Sequence, residues 1–225
     1  MKNGIHILST KKLGAGQREL LANAGLKLEE ADFISVTLLP VRIDRVKECL
    51  IFTSSNAVRS VLRHHNSNSL KDRPCFCVGS KTGALLEQNG FRVLVQKDYA
   101  AGLAAEITSS FADRSFTFFC GNLRRNNLPD AMSAANISFN EFTVYHTRLT
   151  PAGTDADVQG ILFFSPSGIQ SYLEKNTIGK KVCFCIGTTT AKALETITNH
   201  IVVAQEPTTE SVIASAVAYF NHKNG

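Results

Sequence analysis

No stretch of this chain approaches the ~18 consecutive apolar residues that a membrane-spanning helix needs. A secretory leader needs an apolar stretch of about 7–15 residues and a small-residue cleavage site. The opening MKNGIHILSTKKLG has only a short apolar run and no such site, so a cytoplasmic protein with no membrane association is expected. The six cysteines are too few for a disulfide framework in 225 residues. Four of them stand as Cys-Phe-Cys, at 75–77 and 183–185, rather than at the Cys-x2–4-Cys spacing of zinc sites. Buried reduced thiols are therefore expected, and no metal site. The six histidines are scattered, with no His-x-x-x-His pair.

Other absences concern chemistry. Neither G-x-x-x-x-G-K-[ST] nor G-x-G-x-x-G follows a strand-like run, which argues against a phosphate- or nucleotide-binding enzyme. There is no evident Ser–His–Asp set or paired-carboxylate motif. Basic residues form no run longer than a doublet such as Lys11-Lys12 or Arg124-Arg125, and the net charge of +5 is mild. A nucleic-acid surface is not expected, whereas an acidic small molecule suits the balance.

What is present is a repeat. LIFTSSNAVRSVL at 50–62 lies over ILFFSPSGIQSYL at 161–173, with Phe52 matching Phe163 at an offset of 111. CFCVGSKTGALLE (75–87) lies over CFCIGTTTAKALE (183–195) at 108, and Gln96 over Gln205 at 109. Ala24 and Pro40 match Ala135 and Pro151 at 111, so two copies account for nearly the whole chain. Such copies are too long for solenoid repeats of about 20–45 residues.

Each copy alternates apolar runs with helix-like stretches. Strands are expected at 5–9, 50–53 and 92–95 and at 115–120, 161–164 and 201–204. Helices are expected at 15–24, 56–64 and 101–111 and at 125–135, 167–175 and 209–220. The Cys-Phe-Cys phrases add a further strand and helix to each copy, and Pro-containing extended segments fall at 33–41 and 142–151. This order implies an α/β fold of two similar domains, with parallel sheets flanked by helices. Two packings satisfy it. Each copy could be a domain, split near 112, or the first strand and helix of each copy could join the remainder of the other.

Hydroxyl-rich segments follow the apolar runs: Ser54 and Ser55, Ser80 to Thr82, Ser165 and Ser167, and Thr188 to Thr190 after Gly187. Helix N-termini leave backbone N–H groups unpaired, so these residues can cap the helix, hold an anion, or do both. Gly121, Asn122, Arg124 and Arg125 follow the strand at 115–120.

Taken together, FTSSNAV, CGNLRRNNLP, FTVYHT and FFSPSG followed by IGTTTAKAL resemble the uroporphyrinogen-III synthase family, and in its order. The resemblance implies the crossed packing: 1–35 with 150–225 as one discontinuous domain and 40–142 as the second. Interdomain linkers at 33–41 and 142–150 would form a two-stranded β ladder, with a cleft between the domains. It implies closure of hydroxymethylbilane, a linear tetrapyrrole with eight carboxylates, to uroporphyrinogen III with loss of water and inversion of the terminal pyrrole. No cofactor is implied. A monomer is expected, with transient contact to the preceding deaminase as a partner to consider.

The family's landmark threonines fall at Thr189 and Thr190, and its tyrosine falls at Tyr145, where the first copy has Ile34. Tyr145 is thus the expected catalytic residue. Ser54, Ser55, Thr82, Asn122, Ser165, Ser167, Gly187, Thr189 and Thr190 are the expected substrate-binding residues. Lys11 and Lys12 replace a Thr-Arg-Pro-like turn, so no specific role is expected there. The competing reading is a non-catalytic two-lobed sensor for an acidic small molecule.

Overall fold

The computed structural model describes residues 4–154 and 157–224. In chain order the elements begin with β1 (His6–Ser9), α1 (Ala15–Asn23), β2 (Lys27–Glu30), β3 (Ile34–Leu38), β4 (Cys49–Phe52) and α2 (Ser55–Leu62). Next come β5 (Cys75–Val78), α3 (Ser80–Gln88), β6 (Val93–Lys97), α4 (Ala100–Ser110), β7 (Phe116–Gly121), α5 (Asn127–Ala134) and β8 (Phe139–Leu149). Last are β9 (Gly160–Phe163), α6 (Pro166–Leu173), β10 (Val182–Cys185), α7 (Thr188–Ala191), β11 (Ile201–Val203) and α8 (Thr209–Asn224).

The chain divides into two compact units, residues 1–35 with 148–225 and residues 36–147. It passes from one to the other within β3 and returns within β8. These strands are neighbours, and Leu39 N–H donating to the Val144 carbonyl with Thr150 N–H donating to Phe33 marks an antiparallel pair.

The discontinuous unit holds a five-stranded sheet of order β11-β10-β9-β1-β2, parallel throughout. Side chains alternate faces along a strand, so each short apolar strand supplies two cores. Ile7, Leu162 and Phe184 pack with Leu21 of α1 and Val212 and Ala216 of α8. Leu8, Ile161 and Phe163 meet Ile169 and Tyr172 of α6 on the other face.

The continuous unit repeats the plan in the order β3-β8-β7-β4-β5-β6, parallel from β8 to β6. Ile51, Phe76 and Phe118 pack with Leu103 of α4 and Met132 of α5, while Leu50, Phe52 and Phe119 pack under Val58 and Val61 of α2. Burial on both faces is why β4 reads Cys-Leu-Ile-Phe without polar alternation.

Two features differ from the sequence reading. Strand β2, Lys-Leu-Glu-Glu, carries no apolar alternation and was not expected; it is the sheet's polar edge, paired with β1. The second Cys-Phe-Cys phrase does not lead into a helix like the first. The nine-residue α3 is matched by α7 of four residues, followed by turns to Ile197. Thr188 to Thr190, Thr196, Ile197 and Thr198 are β-branched, which disfavours helix through lost side-chain freedom. The glycines before the two helices differ as well: Gly79 has φ 84° and Gly187 is extended at φ 179°.

All six cysteines are buried and free. Burial pushes the Cys49 and Cys77 thiols up to about 11, and Cys75, Cys183 and Cys185 up to about 12, so they are protonated packing residues. No helix among the described residues is long and apolar enough to cross a membrane.

Candidate active site

In the continuous unit the expected residues come together at the carboxyl ends of β4, β5 and β7, the edge where open α/β sheets gather ligands. Ser54 caps α2, its Oγ accepting from the Asn56 N–H at 3.2 Å. Ser55 Oγ lies 3.5 Å from Oγ1 of Thr82, so the hydroxyls after β4 and β5 meet. Thr82 is buried; Ser54 and Ser55 are partly exposed.

Tyr145 reaches this group from β8. Ser54 is the residue whose side-chain hydroxyl acts on its phenol. Burial pushes the phenol's pKa above the usual tyrosine value, the Ser54 side chain pulls it back, and Cys120 adds to the rise. A phenol so placed stays protonated at neutral pH and can donate.

The ring has a seat. Cys120 registers with Thr143 but Gly121 with Tyr145, so β8 carries one extra residue at this point, a bulge that re-aims a side chain. A Cβ on Gly121 would overlap Cε2 and Cζ of Tyr145 and lie 2.8 Å from the hydroxyl oxygen. Only glycine leaves space for the ring here. Sequence reading placed Gly121 merely at a strand end, because the pairing that makes it necessary is not local.

Asn122 secures the same stretch. Its Oδ1 accepts from Thr147 N–H at 2.7 Å and its Nδ2 donates to the Thr147 carbonyl at 3.1 Å, while its own N–H donates to the Tyr145 carbonyl at 3.3 Å. The amide acts as an added rung of the β7–β8 ladder, and both ends are engaged within the protein. Arg124 is likewise engaged, Nε 2.6 Å and Nη2 2.8 Å from the two carboxylate oxygens of Glu141. His146, next to Tyr145, is exposed.

In the discontinuous unit Ser165 caps α6, its Oγ accepting from the Gly168 N–H at 3.0 Å and lying 3.0 Å from Ser167 Oγ. Pro166 takes the first helical position, where its missing N–H costs nothing. Gly187, Thr189 and Thr190 follow β10, with Thr190 buried and its N–H donating to the Gly187 carbonyl at 3.0 Å. Gly187 has no atom within 4 Å of an added Cβ and no positive φ, so neither space nor backbone in the protein requires glycine there.

Lys11, given no role by the sequence, lies at the end of β1 with Nζ 4.2 Å over the Phe164 ring and donating to Thr209 Oγ1 at 2.7 Å. The arrangement supplies a cation beside the strand that leads into Ser165.

Parallel sheets flanked by helices, with hydroxyls at their carboxyl ends and a half-buried phenol beside them, define the class: a parallel-sheet α/β protein with a polar sheet end. A sequence model described as uroporphyrinogen-III synthase HemD matches residues 19–214. The chain belongs to the uroporphyrinogen-III synthase family. Among solved structures, uroporphyrinogen-III synthetase from Helicobacter pylori is 18% identical with a TM-score of 0.69, covering 96% of this chain and 99% of that one. A mutant uroporphyrinogen III synthase from Thermus thermophilus is 13% identical with a TM-score of 0.71, covering 97% and 99%. At these identities they show a shared fold. No curated protein sequence gave a significant match.

Proposed function

We propose that this chain closes hydroxymethylbilane to uroporphyrinogen III, with Tyr145 as the catalytic residue. The observation that carries the reading is the half-buried phenol seated on Gly121, beside Ser54, at a sheet end lined with hydroxyls. Family membership supports it.

The reaction needs few side chains. The C–O bond to the terminal hydroxyl breaks, and the oxygen leaves as water, its added proton coming from Tyr145 or, where the phenol only hydrogen-bonds, from solvent. The pyrrole nitrogen feeds its lone pair into the vacated carbon and loses its proton, giving an azafulvene. The substituted carbon of the last pyrrole then forms a C–C bond to that electrophile, giving a spiro intermediate. It opens and recloses with the ring inverted. The pyrrole nitrogen regains its proton as the C–C bond forms, and one proton leaves the ring carbon to balance the one carried off in water.

In water the bilane closes without inversion, so the protein's main contribution is to hold the chain folded for the harder closure, an effect of orientation. Ser54, Ser55 and Thr82 on one unit, and Ser165, Ser167, Gly187, Thr189 and Thr190 on the other, receive substrate carboxylates through hydroxyls and helix-start N–H groups. Lys11 adds a charge-assisted contact. Asn122 holds the Tyr145 strand and meets substrate only through what its amide has left. The reading includes a cytoplasmic monomer that takes bilane from the preceding deaminase, by transient contact or by diffusion.

The test supplies hydroxymethylbilane and resolves isomers I and III after oxidation. Isomer III above the spontaneous isomer I background is expected from wild type. Tyr145→Phe should lower the rate by about 10²–10⁴-fold in a folded protein, the usual contribution of a proton donor. Wild type that binds bilane and releases isomer I alone would sink the reading in favour of a sensor.

A further inference from the structure

Outside the group around Tyr145, the continuous unit contains a cavity of about 530 Å³, within the ordinary range for a small-molecule site. It lies between the segment that follows β3 and the C-terminal end of α2. Ser54 caps the opposite end of that helix, about 12 Å away at 1.5 Å per residue.

The walls are apolar: Leu39, Val41, Ile43 and Val61 among them. The charged lining residues are both basic, and two histidines join them. Arg42, Arg63, His64 and His65 contribute, and no aspartate or glutamate does. Arg42 is offset by Asp44 at 3.4 Å, but Arg63 has no acidic partner among the described residues. The His64 and His65 rings lie 4.4 Å apart between centroids, tilted by 33°. His64 Nδ1 accepts from the Asn66 N–H at 3.2 Å, which leaves Nε2 to carry the hydrogen and donate. The nearby Ser60 hydroxyl is occupied, donating to the Val144 carbonyl at 2.6 Å.

We propose that this cavity is a second binding site, for a small apolar molecule carrying a single carboxylate. The hydrocarbon lies against Leu39, Val41, Ile43 and Val61, and the carboxylate meets the Arg63 guanidinium with His64 and His65 beside it. An apolar wall recovers free energy only when apolar surface leaves water, and a guanidinium prefers a carboxylate to a neutral oxygen. One guanidinium with imidazole donors beside it, at one side of an apolar cavity, therefore selects an amphipathic monoanion over both a neutral hydrocarbon and a polyanion. The site is separate from the tetrapyrrole reading and does not rest on it.

The matched probes are 1-naphthylacetate and 2-(1-naphthyl)ethanol, one aromatic body with and without the charge. They are titrated into the full chain while the His64 and His65 imidazole signals are followed by NMR. Naphthylacetate is expected to bind saturably and shift both imidazoles, and the alcohol to bind at least tenfold more weakly. Arg63→Gln should erase that preference while leaving alcohol binding and isomer III formation unchanged. Ile43→Trp, which fills the cavity, should abolish both. Unmoved imidazoles, equal affinity for the two probes, or a preference that survives Arg63→Gln would each overturn the proposal. Loss of isomer III activity in wild type would leave this site standing and refute only the catalytic reading.

Discussion

Replacing Gly121 by Ala tests whether the phenol's position, and not merely its presence, drives the reaction. The added Cβ would lie 2.8 Å from the Tyr145 hydroxyl oxygen and closer still to two ring carbons. Carbon atoms settle at about 3.5–4.0 Å, so the ring must retreat by on the order of 1 Å. Overpacking of this kind costs about 1–3 kcal/mol of stability, visible as a lowered Tm in a chain that still folds. Misplacing a reacting group by about 1 Å costs about 10²-fold in rate. Gly121→Ala should therefore form isomer III about a hundredfold more slowly than wild type, with circular dichroism unchanged. The double mutant separates positioning from general damage. In a Tyr145→Phe background there is no hydroxyl left to misplace, so adding Gly121→Ala should remove little further activity. A folded Gly121→Ala enzyme at full rate, or the same hundredfold loss in the phenylalanine background, would refute the seat.

Ser54→Ala removes both the cap of α2 and the hydroxyl that pulls the Tyr145 pKa down, so it should cost about 1 kcal/mol in stability and move the phenol's alkaline absorbance titration upward; a downward shift would contradict the stated partner. Gly187→Ala meets open space at an extended φ, so Tm should hold or rise slightly, and a raised KM would then report substrate in that space. The buried thiols give an alkaline signature. Their folded pKa values near 11 to 12 exceed the reference 9.0, so above about pH 9 the unfolded chain releases protons that the folded chain keeps. Stability should be full below pH 9 and fall as pH rises toward 12, each thiol contributing up to about 1.4 kcal/mol per pH unit. Denaturant midpoints for Cys183→Ala should show a shallower fall than wild type; an equal slope would assign the effect elsewhere.

The hydroxyl segments were legible because the relation is local. Ser54 and Ser165 each follow an apolar strand and cap the next helix, with partners two and three residues on. The matching phrases also misled at one point: Cys75–Glu87 and Cys183–Glu195 resemble each other, yet the second ends in turns because threonine and isoleucine stiffen that stretch. Strand β2 escaped notice because an edge strand with polar faces carries no alternation to read.

By itself the sequence determined the α/β class and the placement of Ser, Thr and Gly at strand ends, since strand periodicity and capping depend on residues a few positions apart. The tertiary structure decided which of these residues meet. The order β8-β7-β4 brings Tyr145 to Ser54 from distant parts of the chain, and the bulge at Gly121 turns the phenol toward it. The same pairing occupies the Asn122 amide with Thr147, a use that no local pattern announces. Strand register is settled by cores packed from both faces, so the partner of a side chain at a strand end is a property of the sheet and not of its own segment.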